Sequence, residues 1–384
     1  MKPTILFVFS SLLLGCNFDP VEKGNYLENP ATFEIQLDQI EEKEFFELFK
    51  LEDILELKLS DDFFISDIYR MKLFENDFFV FDESLSNLIR FNRNGLALNR
   101  IGKIGDGPEE LPQIADFSID DDGNIYLGSG SAMKINKYSK GGNFLNSLKL
   151  DDQMDQLAIA GGKFYTSLTY FNTLNKNLGV YSETGDTVKT FFPYEKGIFP
   201  IMLKNISGHL TTNSVGQVLF NESASSRIYV IGEDLTIQPK YQFSSKSDLW
   251  PESDRHQLNP YFEKLATAEL TFLTRFYEES DSYFFFALNQ KQVGIKKFVV
   301  DPRVGFFDKE SKSSFITKRA DYLINLSGPL ATEGDFFYMS TSKSELINMK
   351  DKYPEWKILS EFSIEENFEL ENRDSPIILK FSIR

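Results

Sequence analysis

The sequence predicts an all-β chain folded as a six-bladed β-propeller, with four-stranded blades and a ring closed by an N-terminal strand in the last blade. Three observations carry the prediction. Glycine-turned hairpins recur at a near-constant interval, and short runs of alternating apolar and polar residues fill most of the chain beyond residue 50. One further alternating run near the start, DILELKLS from Asp53 to Ser60, has no hairpin partner of its own and is free to complete a sheet elsewhere.

The chain opens with Lys2, an apolar run from Ile5 to Leu14, and the pentapeptide LLLGC ending at Cys16. That run is too short to span a bilayer as a helix and reads as a signal peptide. Its end resembles the lipobox of bacterial lipoproteins, in which a small residue precedes a cysteine that is lipidated and becomes the new N-terminus. Cys16 is the one cysteine of 384 residues, so disulfides within the chain are impossible and the fold must stand on burial alone. Residues 1–15 are thus expected to be a signal peptide, 16–50 an anchor linker and N-terminal segment, and 51–384 the propeller. Helical patterns are few: Glu41 to Phe49, Pro260 to Leu270, and Ser342 to Lys350.

Three segments display the repeat: LIRFNRNGLALNRI from Leu88, KINKYSKGGNFLNSL from Lys134, and LGVYSETGDTVKTF from Leu178. In each, an aromatic residue (Phe91, Tyr138, Tyr181) stands four positions before a glycine (Gly95, Gly142, Gly185), as in a hairpin with glycine in its turn. Their spacing lies in the range of about 40–50 residues typical of propeller blades. Blade one then runs from Ser66 to Lys103, blade two from Ala115 to Lys149, and blade three from Gln156 to Phe192. Blade four covers His209 to Phe243 with a hairpin at Glu233-Asp234, and blade five covers Thr271 to Phe307 with a turn at Asp301-Pro302. Blade six begins at Tyr322, passes through DFFYMS, and ends with PIILKFSI from Pro376. A sandwich of several sheets is the rival arrangement, and the near-constant period weighs against it.

The stretch KIGDGPEEL from Lys103 superficially offers a phosphate-cradling loop. Such a loop needs a helix directly after it, whereas here Pro108 and Pro112 are followed by ADFSI and NIYL around an Asp-Gly turn. Lys103 to Pro112 therefore reads as a crossover between blades one and two. IGKIGDGPEEL and the following FSIDDDGNIYL resemble the corresponding link in the six-bladed β-propeller lipoproteins of Bacteroidetes-type bacteria, relatives in shape of the NHL and TolB-like propellers. The resemblance covers nearly the whole mature chain, later blades matching in spacing alone. It implies an envelope or glycan-uptake context and names no substrate.

In such blades the a–b and c–d turns share one face, and the long connections crowd the other, where recognition usually resides. The longest insertion, SSKSDLWPESDRHQLNPYFEKL from Ser244, carries Trp250, Arg255, His256 and Tyr261, side chains suited to anchoring a protein or stacking on a glycan. The same residues also fit a loop folded onto its own blade. At the channel mouth the early residues of the first strands would be Asp67, Asp116, Gln156, His209, Arg275 and Asn325. Asp67, Asp116 and Asn325 offer the oxygens by which six-bladed lactonases hold calcium or another divalent cation. Strand-end aspartates equally serve as turn caps.

Other chemistries find little support. A net charge of −17 disfavours nucleic acid and anionic lipid as partners, leaving the membrane to the lipid anchor. Two histidines exclude a polyhistidine metal site, and no Gly-x-Ser-x-Gly elbow is present. The sequence thus reads as a cofactor-free, non-enzymatic, lipid-anchored propeller of the cell envelope, in the outer membrane, binding a ligand or protein through its long-loop face. The alternatives are a metal-dependent lactonase- or esterase-like hydrolase with a channel cation, and a structural subunit of an envelope complex.

Overall fold

A computed structural model describes residues 32–59, 62–168, 172–194, 209–223, 225–246, 249, 270–291, 300–318, 327–346 and 375–384. Their strands form six antiparallel sheets set around a ring, each a four-stranded propeller blade. From hub to rim, blade I comprises Arg70–Phe74, Asp77–Asp82, Asn87–Asn92 and Ala97–Ile101, and blade II Asp116–Ile119, Ile125–Ser129, Lys134–Tyr138 and Phe144–Lys149. Blade III comprises Met154–Ala160, Lys163–Leu168, Lys176–Tyr181 and Thr187–Pro193, and blade IV His209–Thr212, Val218–Asn221, Arg227–Ile231 and Ile237–Ser244. Blade V comprises Leu270–Glu279, Tyr283–Lys291, Val300–Asp308 and Ser314–Thr317. Blade VI takes Ala331–Glu333, Phe336–Ser342 and Pro376–Ile383 from the C-terminal part of the chain, and its outermost strand is Phe49–Glu56. The N-terminal strand therefore closes the ring, as its unpartnered alternation predicts.

Burial follows position along each blade. The second strand of blade I, DFFVFD, is buried at every residue, whereas the rim strand of blade II, FLNSLK, is exposed or half-buried throughout. A strand packed between neighbouring blades on both faces needs a continuous apolar run, and a rim strand does not. Each of the six blade interfaces contains a pair of aromatic rings. They are Phe81–Phe117, Tyr126–Phe164, Phe192–Phe220, Tyr241–Phe284, Phe285–Phe337 and Tyr338–Phe78, with centroids between 3.8 and 6.0 Å apart. Such pairs, drawn from a sequence rich in Phe and Tyr, furnish the mortar of the ring.

The N-terminal segment is more than a linker. Phe33–Gln36 adds a fifth, parallel strand to the rim of blade IV, and Glu41–Lys43 does the same to blade V. Beyond the closing strand, Lys58 bridges Leu96 on the rim of blade I. The chain is therefore laced across four successive rims, covering edges that would otherwise present unpaired backbone groups. Gly95 is required where this lacing meets blade I. Its φ is +74°, and a Cβ there would lie 2.1 Å from the carbonyl oxygen of Glu56.

Several local expectations are corrected. Of the helix expected over Glu41 to Phe49, one turn forms, Phe45–Leu48, held by a capping box between Glu44 and Glu47. Glu41–Lys43 is drawn into strand by the rim of blade V, and Phe49 belongs to the closing strand, paired with Ile383. That strand starts earlier than Asp53 because Phe49 is needed between blades V and VI, against Phe306 and Phe337. In blade V the chain does not turn at Asp301-Pro302; Val300–Asp308 runs straight through, and the turn lies at residues 309–313. Pro302 is tolerated because, among the described residues, the rim strand pairs with Gly305 to Phe307 and none pairs with Pro302 on that side. The first strand of blade VI is Ala331–Glu333, and Tyr322 lies outside the described residues, as do residues 260–269. Residues 343–346 are helical, within the span expected from Ser342.

The crossover from Lys103 satisfies itself. Ile104 and Leu111 form a parallel bridge, the Gly107 N–H donates to Glu110 Oε2 at 3.0 Å, and Lys103 pairs with the same carboxylate. A side-chain carboxylate thus occupies the place that a phosphate would need. Because Phe49 is fully buried at the closing seam, Phe49→Ala is expected to destabilise the chain by about 3–5 kcal/mol. Urea unfolding followed by circular dichroism measures this.

Candidate functional site

The innermost strands converge on the propeller axis, and the period of two places Arg70 and Lys72 on the same side of the first of them. Arg70 is 6% exposed and its guanidinium joins three other blades. Nη1 pairs with the Asp116 carboxylate of blade II and donates to the Leu157 carbonyl of blade III at 3.4 Å. Nη2 donates to the Leu210 carbonyl of blade IV at 2.6 Å and lies 3.3 Å from His209 Nδ1. The planar fork of arginine suits this task, since its donors diverge at fixed angles.

The surrounding groups hold one another. Asp116 Oδ2 also accepts the Leu157 N–H at 2.8 Å, and Gln156 Oε1 accepts the Leu210 N–H at 2.6 Å. The His209 N–H donates to Asn221, while the Tyr277 hydroxyl donates to the His209 carbonyl at 3.0 Å and its ring meets the imidazole edge-on. Arginine can only donate, so His209 Nδ1 is the acceptor and the ring proton sits on Nε2. Burial, reinforced by Arg70, Arg275 and Lys72, holds the imidazole well below its ordinary pKa. Burial also pushes the Asp116 carboxyl up, with Arg70 and the Leu157 N–H drawing it back.

The two ends of the channel differ. Towards the long connections, the Arg275 guanidinium lies 3.6 Å from the centre of the Tyr69 ring. Burial raises the Tyr69 hydroxyl, and Arg275 opposes the rise. Asp155 stands nearby among dense protein walls while its side chain still reaches water. Burial, Asp116 and Glu83 push it up to about 6. Towards the short turns, a cavity of about 260 Å³ opens above Arg70 and is lined by Lys72, Thr212 and Glu278. Burial drives Lys72 down to about 8 and Glu278 up to about 8, each moderated by the other.

Asp116 and His209 thus belong to the hub, and Arg275 borders it. Asp67 does not line the first strand, which starts at Arg70. It is exposed in the preceding link, where the Ser66 and Asp67 N–H groups donate to Asp82 Oδ2 and fix the chain before it enters the blade. Of the expected cation set, Asp67 is thus exposed in the link and Asp116 lies in the hub. Asp116 faces a guanidinium, Asn325 lies outside the described residues, and no cluster of three metal-ligating side chains occurs among the described residues. Cys16, Trp250, Arg255, His256 and Tyr261 also lie outside them. Sequence reasoning missed Arg70, Lys72 and Glu278; the available signal was a pair of cations alternating within the otherwise apolar first strand, YRMKLF. The DDDGN turn binds itself, Asp120 accepting from Asp122, Asn124 and Tyr126.

Arg70→Met would strand the Asp116 carboxyl in the interior, and a loss of about 3–5 kcal/mol is expected in urea unfolding, partly restored by adding Asp116→Leu. His209 also sets a pH dependence. In the unfolded chain it titrates near 6.5, but in the fold it stays neutral, so its stabilisation is complete above about pH 6.5 and lost as pH falls. Asp155 acts oppositely, binding its proton in the fold first and adding stability as pH falls through about 6. Unfolding free energies from urea titrations between pH 5 and 6.5 should therefore fall more steeply as pH drops in the wild type than in His209→Gln, by up to about 1.4 kcal/mol per pH unit.

Comparison with known proteins places this architecture. A crystal structure of a protein described as exported, from Bacteroides fragilis, superposes with a TM-score of 0.71 at 16% identity, covering 92% of this chain and 99% of that one. A member of the DUF4221 family from Bacteroides vulgatus gives a TM-score of 0.58 at 11% identity, covering 88% and 99%. At these identities the likeness is one of fold. No curated protein sequence matches the chain. Residues 32–381, from the strand laced on blade IV to the last strand of blade VI, match the family described as a domain of unknown function, DUF4934, and the chain belongs to that family.

Proposed function

We propose that this chain is a lipid-anchored, non-enzymatic propeller of the cell envelope that binds a protein or glycan partner through its long-connection face. The observation that carries the reading is the occupation of the hub. In a propeller enzyme built around a channel cation, the axis holds the catalytic ion. Here a protein guanidinium ties blades I to IV together at that depth. The hub then acts as scaffold, and recognition falls to the faces.

The two faces are unequal in a way that supports the choice. The short turns close on themselves by backbone hydrogen bonds, as in Asp120–Asn124, Ser139–Asn143, Ser182–Asp186, Asn213–Gln217 and Gly232–Thr236. Residues held in this way offer a rigid base with little room for adaptation. The connections of the opposite face are longer and carry Trp250, Arg255, His256 and Tyr261. An anchor at Cys16 would tether the chain, and the net charge of −17 would hold its body off an anionic bilayer in the outer membrane. The fold likeness to a Bacteroides protein described as exported supports the envelope setting.

The full chain made in a lipoprotein-processing host should incorporate labelled palmitate and sediment with membranes, and Cys16→Ser should abolish both. On arrays of glycans and envelope proteins, Trp250→Ala combined with Tyr261→Ala should weaken any bound partner by about 30-fold or more. Unchanged binding would overturn the assigned face. A stoichiometric divalent cation retained without chelator, together with ester or lactone hydrolysis, would overturn the non-enzymatic reading.

A further inference from the structure

The cavity at the short-turn end of the axis lies opposite the face assigned to partner binding. Inner strands or turns of five blades contribute to it, among them Lys72 of blade I, Asp121 of blade II, Thr212 of blade IV, Glu278 of blade V and Thr332 of blade VI. Its floor is Arg70, whose two terminal nitrogens are already spent on Asp116, His209 and two carbonyls. The charged walls are not spent. Lys72 Nζ donates to Thr212 Oγ1 at 3.3 Å, leaving two of its three N–H groups without a partner among the described residues. Glu278 accepts no hydrogen bond from a described residue, and the two side chains make no direct ion pair although each feels the other's charge. Both are half-buried.

Holding an ammonium and a carboxylate away from bulk water with their hydrogen bonds unfilled is costly. The cost is recovered when a ligand supplies both missing partners at once. We propose that this chamber binds a small zwitterion of the amino-acid type, with the ligand carboxylate on Lys72 and its ammonium group on Glu278. The volume of about 260 Å³ fits a free amino acid or a dipeptide and falls slightly below the usual range of drug-sized sites. Charge selects among ligands of that size. A dianion would set its second charge against Glu278 and the neighbouring Asp121, and a diamine would set one against Lys72 and Arg70. A neutral sugar would leave both wall charges uncompensated. Burial disfavours the charged form of both wall groups, and a ligand ammonium beside Glu278 and a ligand carboxylate beside Lys72 would each draw the group back toward its charged form.

Isothermal titration of the purified full chain at pH 7.5 with L-alanine, L-glutamine and glycylglycine, against propylamine, propionate and D-glucose, tests the assignment. At least one zwitterion should bind one-to-one and at least about ten-fold more tightly than each single-charge analogue and glucose. Glu278→Gln and Lys72→Gln should each lower that affinity by about ten-fold or more, with circular dichroism and the melting temperature confirming the fold. Should either variant fold poorly, the ratio of zwitterion to single-charge analogue on the wild-type chain decides alone. Failure of all three zwitterions to bind the wild type, equal binding of glucose or propylamine, or full affinity in a folded Glu278→Gln variant would overturn the proposal.

Discussion

The ring of aromatic seams is the constraint from which the rest of the structure follows. A single four-stranded blade buries neither face by itself. Each blade here presents one face to each neighbour, and every seam is sealed by rings such as Tyr241 stacked on Phe284 at 3.8 Å. An open ring would leave two faces exposed, so the seam between blades V and VI has to be made, and it is the richest in phenylalanine. Phe45, Phe49, Phe285, Phe306, Phe337 and Phe381 share one cluster there. Two of these, Phe45 and Phe49, come from the N-terminal segment, which explains why the rim strand of blade VI is drawn from that segment and pairs with Pro376–Ile383.

Closure in turn dictates what happens at the axis. Six inner strands arriving together bring backbone N–H and carbonyl groups into a space too narrow for apolar side chains to cover, and those groups must be paired. Arg70, Gln156 and Asn221 do much of this pairing, each reaching the backbone of blade III or IV. The buried ion pair between Arg70 and Asp116 is a weak source of net stability, because both charges were taken from water. Its effect is on geometry. With one guanidinium fixing atoms from four blades, the inner strands cannot slide relative to one another without breaking several hydrogen bonds.

The parts legible in the sequence are those governed by local pattern. Hairpins with Gly95, Gly142 and Gly185, the Asp-Gly turn at Gly123 and the unpartnered N-terminal alternation each announce themselves within a short window, and together they suffice for six blades. Illegible parts depend on partners distant in sequence. EEKEFFELF carries a helical pattern, yet its first residues serve the rim of blade V, and its last serves a strand paired with the C-terminus. Pro302 looks like a turn until its pairing with Asn289 on the neighbouring strand is known. At the site, Asp116 and His209 could be placed by register alone. Arg70 could not, since a cation in an inner strand gains its meaning from acceptors on three other blades, and Asp67 fell outside the strand because Asp82 captures the link before it.

The hub also divides the axis into two chemically distinct ends. Tyr69, Arg70 and Lys72 lie within one short run of the chain, yet Tyr69 faces Arg275 at the long-connection end and Lys72 faces Glu278 at the short-turn end. At the first end the cation rests on an aromatic face, an arrangement that spares it a carboxylate and leaves Asp155 reaching water. At the second, an amine and a carboxyl face a cavity without joining. Because Arg70 commits both terminal nitrogens to the protein, neither end can borrow their hydrogen bonds for a ligand, and each must hold one with the groups on its own side.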